Sequence, residues 1–203
     1  FDVAKIFRRE TWCIGESAFA VLLLLIGTSM LDGFYGSYYN LNQLVFDAFD
    51  APVSMIGIFF GASYAVNATA YIAADFFSSR FGKRNTMLGS MLIEAGLFMI
   101  LPWFASNPLC LFGLSMALCF LPEVVYITSE NLIQDAIADD LRATVLSVAS
   151  LVRALFSAMF FSIFGYVLGL YPIQIALGII GAIAVAITAV VSLKMVGIHV
   201  SKN

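Results

Sequence analysis

Six long apolar stretches alternate with short polar breaks along the chain, at about 13–39, 52–74, 86–104, 108–130, 143–168 and 172–195. A hydrocarbon core of roughly 30 Å needs about 20 helical residues to cross it, and each stretch supplies that length. The pattern predicts an all-α, polytopic membrane bundle of six helices occupying 13–195, with a short lead-in at 1–12 and a tail at 196–203. Pro52, Pro108 and Pro172 stand at the starts of the second, fourth and sixth stretches. There the missing amide costs nothing, because a first-turn N–H has no helical acceptor.

Polar residues inside the stretches are not scattered. Thr28 or Ser29, Asp32, Tyr35 and Tyr39 recur at three- and four-residue steps on the first, and Tyr64, Asn67 and Tyr71 do so on the second. Cys119, Glu123, Tyr126 and Glu130 share a face of the fourth, and Ser147, Ser150, Arg153 and Ser157 share one of the fifth. Such steps place side chains on one side of a helix. Polar groups in a bilayer turn towards a bundle interior or a wet cavity, so these four helices are expected to line one. The third and sixth stretches carry little besides Glu94 and are expected to face mainly lipid. Gly57 and Gly61, four apart, suggest a close helix contact on the second.

Composition agrees. The 203 residues are 62% hydrophobic and 11% charged, with a mean hydropathy of +0.97, outside the range of a water-soluble domain. A sequence opening on Phe1, without the ordered parts of a leader peptide, reads as a piece of a longer chain. Cys13, Cys110 and Cys119 lack ligand spacing and are read as small packing residues rather than a disulfide or metal site. No basic cluster suits nucleic acid. Orientation follows from Lys and Arg, which favour cytoplasmic loops. Lys5, Arg8, Arg9, Arg80, Lys83, Arg84, Arg142, Lys194 and Lys202 all fall on one side of a six-span topology. The opposite connections, at 41–51, 105–107 and 169–171, hold none. Both termini are therefore expected in the cytoplasm, with the chain in the plasma (cell inner) membrane.

Two lining helices and one outer helix, repeated once, resemble one half of a major facilitator transporter, a three-plus-three inverted repeat. The resemblance covers essentially the whole chain. Arg80-Phe81-Gly82-Lys83-Arg84 is similar to the family's loop motif after the second helix of each half, although Asp75 replaces its initial glycine and Ser79 its acidic residue. The segment from Asn131 to Leu146, with Arg142-Ala143-Thr144 opening the fifth span, resembles the matching loop of second halves. First-half marks, an Arg motif on the fourth span and a Gly/Pro-rich motif on the fifth, are absent. The resemblance implies the C-terminal half of a secondary transporter working by alternating access. It also implies that residues 1–12 end a central cytoplasmic loop, that an N-terminal half of the same protein is its partner, and that Arg80, Arg84, Glu130 and Arg142 form a cytoplasmic gate network.

Arg153 is the most telling residue, because a cation near mid-membrane costs roughly 2.5–3.5 kcal/mol even on the mildest scale. Helical rise places Glu123 at similar depth, so the two are expected to pair, either to fix helix register or to serve binding and coupling. Pro122 is placed to kink the fourth span. Asp32 is expected to stand without a basic neighbour, as a proton carrier or as an interfacial group among the belt tyrosines Tyr35, Tyr38 and Tyr39. Lys83, Asp135, Asp139 and Asp140 are read as solvated loop surface. Asp32, Tyr35, Tyr39, Asn67, Tyr71, Glu123, Tyr126 and Arg153 together form the expected substrate and coupling set.

An enzyme is disfavoured. The one histidine, His199, lies in the tail, leaving a serine hydrolase without a base and zinc without a histidine cluster. No cofactor is implied. The expected partners are a small organic solute, a proton or other coupling ion, and the bilayer. Proton-coupled drug efflux is the first expectation, uptake of a sugar-like solute the second, and a solute sensor on a transporter scaffold the alternative of another class.

Overall fold

The computed structural model describes residues 18–135, 137 and 139–196. Lys5, Arg8, Arg9, Cys13, His199 and Lys202 lie outside the described residues, as does the Lys194 side chain. Six α-helices follow one another: α1 (Ala18–Ala48), α2 (Val53–Phe81), α3 (Lys83–Phe104), α4 (Pro108–Asp135), α5 (Asp139–Leu170) and α6 (Ile173–Val196). Five of them, α2 to α6, contain segments long and apolar enough to cross a membrane. The chain is an all-α, six-helix protein of the composition expected for an integral membrane bundle.

Helix ends follow local chemistry. Pro52 caps α2, Pro108 opens α4 and Pro172 immediately precedes α6. The Asn107 side chain accepts from the amides of Leu109 at 3.0 Å and Cys110 at 3.3 Å, satisfying first-turn donors of α4. Between α2 and α3 the chain turns on Gly82 alone, at φ 84° and ψ 146°, a conformation open essentially to glycine. Helix α4 continues unbroken through Pro122.

The largest departure from the expected boundaries is in α1. Its first stretch was expected to end at 39, but the polar run Asn40-Leu41-Asn42-Gln43 is helical and the helix continues to Ala48. Leu41, Asn42, Val45 and Phe46 are buried there, so this turn is held by packing that its polarity does not advertise. The midpoint of the helix moves accordingly to about residue 33, and Asp32 becomes central.

The dry core is aromatic. Phe34 packs edge-on against Tyr35, Phe98, Phe160 and Phe164, with centroids 4.8–5.4 Å apart, joining α1, α3 and α5. Edge-to-face rings of this kind add about 0.5–1.5 kcal/mol each beyond area burial. Helices approach most closely at two glycines. A Cβ on Gly33 would lie 2.7 Å from Phe156 Cβ and 2.8 Å from the Ser157 nitrogen, and one on Gly181 would lie 2.8 Å from the Phe98 carbonyl oxygen. Beside Gly33, Ser37 donates to the Ser157 carbonyl at 2.8 Å and Ser157 donates to the Gly33 carbonyl at 3.3 Å. Gly57 and Gly61, expected to make such a contact, face open space.

Within this chain α3 and α6 pack on each other and are the better covered, whereas α2 and α5 leave most of their surface open. Lys83 bonds Asp135 at 2.5 Å, so the α2–α3 turn and the end of α4 share one end of the bundle. This pair and that of Arg142 with Asp139 at 2.8 Å are exposed, in keeping with the solvated surface expected for Lys83, Asp135 and Asp139.

Steric crowding at the α1–α5 crossing gives a direct test. Gly33→Ala should lower stability by about 1–3 kcal/mol through overpacking, and Gly82→Ala by a similar 1–3 kcal/mol through backbone strain. Gly57→Ala should be neutral, all three read from thermal unfolding of the protein in detergent.

Candidate functional site

Arg153, midway along α5, has both its neighbouring carboxylates on other helices. Its Nε lies 2.6 Å from Asp32 Oδ2 of α1, and its Nη2 lies 3.5 Å from Glu130 Oε1 of α4. The Nε contact is ionic rather than an aligned hydrogen bond. The guanidinium also sits 4.3 Å above the centre of the Tyr126 ring, a cation–π contact. These side chains remain 25–29% exposed, so the charges are only partly withdrawn from the open side.

The expected pairing of Arg153 with Glu123 is therefore corrected: Asp32 and Glu130 take that place. Glu123 lies near enough to feel both Asp32 and Arg153 but lies beyond ion-pair distance of Arg153. Asp32, expected to lack a cation, has one, because the longer α1 lifts it to the depth of Arg153. Of the tyrosines expected beside it, Tyr35 and Tyr38 are buried.

Tyr35 leaves the proposed lining altogether. Its ring stacks on Phe98 at 5.6 Å, and its hydroxyl reaches towards Glu94 of α3 and Thr188 of α6. Glu94 is fully buried at this internal contact. Tyr39 stays on the polar side, its hydroxyl 3.0 Å from Ser63 Oγ of α2. The amide orientation that satisfies Asn67 has its nitrogen donating to the carbonyls of Ser63 at 3.2 Å and Cys119 at 3.3 Å, tying α2 to α4. Tyr64 and Tyr71 on α2 are exposed, as are Ser147 and Ser150 on α5. Cys119 is a buried free thiol and Cys110 an exposed one.

Of the four residues expected to form a cytoplasmic gate, three make contacts in separate places among the described residues. Arg80 sits 5.9 Å over the Phe81 ring, Arg142 pairs with Asp139 and donates to the Gln134 carbonyl at 3.3 Å, and Glu130 belongs to the Arg153 cluster. Arg84 is half-buried in the first turn of α3.

What emerges is a polar face built by α1, α2, α4 and α5, centred on Arg153 and carrying three carboxylates to one guanidinium. The Gly33, Ser37 and Ser157 crossing, which seats Asp32 beside Arg153, was missed from sequence. Its signal was present in the small-residue run Gly33, Gly36 and Ser37. No protein-family model matches this chain, and no curated protein matches it.

The pairing is testable by charge exchange. Arg153→Asp alone should cost about 1–3 kcal/mol, below the 3–5 kcal/mol of a fully buried pair because the site is partly open. Adding Asp32→Arg should recover at least half of that loss in the unfolding midpoint, and adding Glu123→Arg should recover none.

Proposed function

We propose that this chain is the C-terminal half of a secondary transporter of the major facilitator type, and that the Asp32–Arg153–Glu130 cluster engages the solute or the coupling proton. The observation carrying the reading is the convergence of that cluster from three helices onto the face that α2 and α5 leave uncovered. A structural ion pair needs no opening, whereas a transport site needs one side left for solute and for a second half.

The helix neighbours support a three-plus-three inverted repeat. Exchanging α1, α2 and α3 for α4, α5 and α6 turns the α1–α5 contact into α4–α2 and the α3–α4 contact into α6–α1, and all four contacts are present. The exchange also maps α3–α6 onto itself. Helix α1, about 46 Å long at 1.5 Å per residue, serves as the sixth span. The α2–α3 turn and the α4–α5 link carry Arg80, Lys83, Arg84 and Arg142, and the links at the other end carry no Lys or Arg. This supports both termini in the cytoplasm of a cell inner membrane.

Charge balance bears on what is moved. Asp32, Glu123 and Glu130 outnumber Arg153, so the face has excess negative charge and suits a cation or a proton better than an anion. A weakly basic organic molecule exported against protons fits this balance. Uptake of a sugar-like solute is the second reading, favoured by the exposed hydroxyls of Tyr64 and Tyr71 beside Asn67. A sensor on the same scaffold would bind solute without moving it.

Flux decides among them. The full-length protein in proteoliposomes should move a cationic dye when a pH gradient is imposed, and Asp32→Asn should reduce that driven flux at least tenfold while leaving dye exchange without a gradient. Driven flux that survives the substitution, or binding with no flux in the wild type, would remove this reading.

A further inference from the structure

A cavity of about 470 Å³ lies between α2, α3 and α4. Phe77 and Phe81 of α2, Gly89 and Ile93 of α3, and Phe120 and Leu121 of α4 form its walls. The volume falls within the roughly 300–1,000 Å³ of small-molecule sites. Its walls are mainly apolar, with Asn85, Thr86 and Ser90 of α3 the polar members.

Two features specify the occupant. The first is depth: from Asn85, near the turn, to Ile93 the groove descends about 12 Å at 1.5 Å per residue, less than half of a hydrocarbon core of roughly 30 Å. The groove thus fits within one leaflet. The second is charge: the Arg80 guanidinium lies over the ring of Phe81, itself a wall of the groove, at 5.9 Å. A cation therefore stands near the end where a headgroup would sit. Basic sites beside apolar clefts at a membrane surface select anionic lipids.

We infer that this groove holds one acyl chain of an anionic phospholipid from the leaflet that contacts the α2–α3 turn, with its phosphate on Arg80. The site is separate from the Asp32–Arg153 face, and its occupancy does not depend on transport. Bound lipid joins three helices along the half of the bundle where α2 is least covered by the chain itself.

Native mass spectrometry of the full-length protein, released from detergent with phosphatidylglycerol or phosphatidylcholine of identical chains, reads the selectivity. Phosphatidylglycerol should be retained at least fivefold more than phosphatidylcholine, and Arg80→Gln should bring the two to parity. Gly89→Phe should expel both, since a Cβ at Gly89 meets open space and the ring can enter the groove. A second measurement needs no variant: phosphatidylglycerol with a photoreactive diazirine on its acyl chain should label residues 89–93 or 120–121 of the wild type. Equal retention of the two lipids, retention unchanged by Gly89→Phe, labelling confined elsewhere, or a chain-to-chain crosslink at this face would each overturn the inference.

Discussion

A guanidinium in a hydrocarbon medium must be neutralised or hydrated, and Arg153 is neutralised at one place. Asp32 and Glu130 pair with it from two other helices, Tyr126 offers its π face, and the side chains stay about a quarter exposed. Because no single helix could supply this set, α1, α4 and α5 are held in one register. The crossing at Gly33 brings α5 against α1 beside Asp32, which reaches the guanidinium.

Around that point the bundle separates a dry side from a polar one. Lipid tails are as apolar as leucine, so burying apolar surface gives helices little reason to associate in a bilayer; shape and hydrogen bonds must do so. On the dry side the interlocked rings about Phe34 and the close approach at Gly181 provide shape. On the polar side the Tyr39–Ser63 and Asn67–Cys119 contacts hold α2 against α1 and α4 without filling the face. That asymmetry leaves α2 and α5 uncovered, and it is the physical basis for expecting another body, or a solute, opposite them.

Much of this was legible in the residue pattern, and the misses share a cause. Helix number, the proline starts and the polar periodicity of four helices could be read because length and apolarity determine them locally. Arg153 was recognisable as a group in need of a partner. Which carboxylate answered it was not, because depth was counted from a helix end placed nine residues early, at 39 rather than 48. Tyr35 shows a second limit: three residues from Asp32 along the same helix, it turns far enough to join Phe98 and Glu94 instead. The loop cations were visible, but the pairing of Lys83 with Asp135 depends on which helix ends meet in space, whereas Arg142 and Asp139 pair within α5. Gly57 and Gly61 had the spacing of a packing motif without a neighbour, so spacing alone does not locate a contact.

The central claim is that one face, shared by four helices around Arg153, is reached by water while the opposite side meets lipid. Rates of modification by a membrane-impermeant maleimide, on single cysteines introduced into a cysteine-free full-length protein in membranes, test it most directly. Cysteines at Tyr71, Tyr126 and Ser150 should react at least tenfold faster than cysteines at Leu92 and Ile175, which are exposed on α3 and α6. Equal rates at the two sets, or faster reaction at Leu92 and Ile175, would contradict the account.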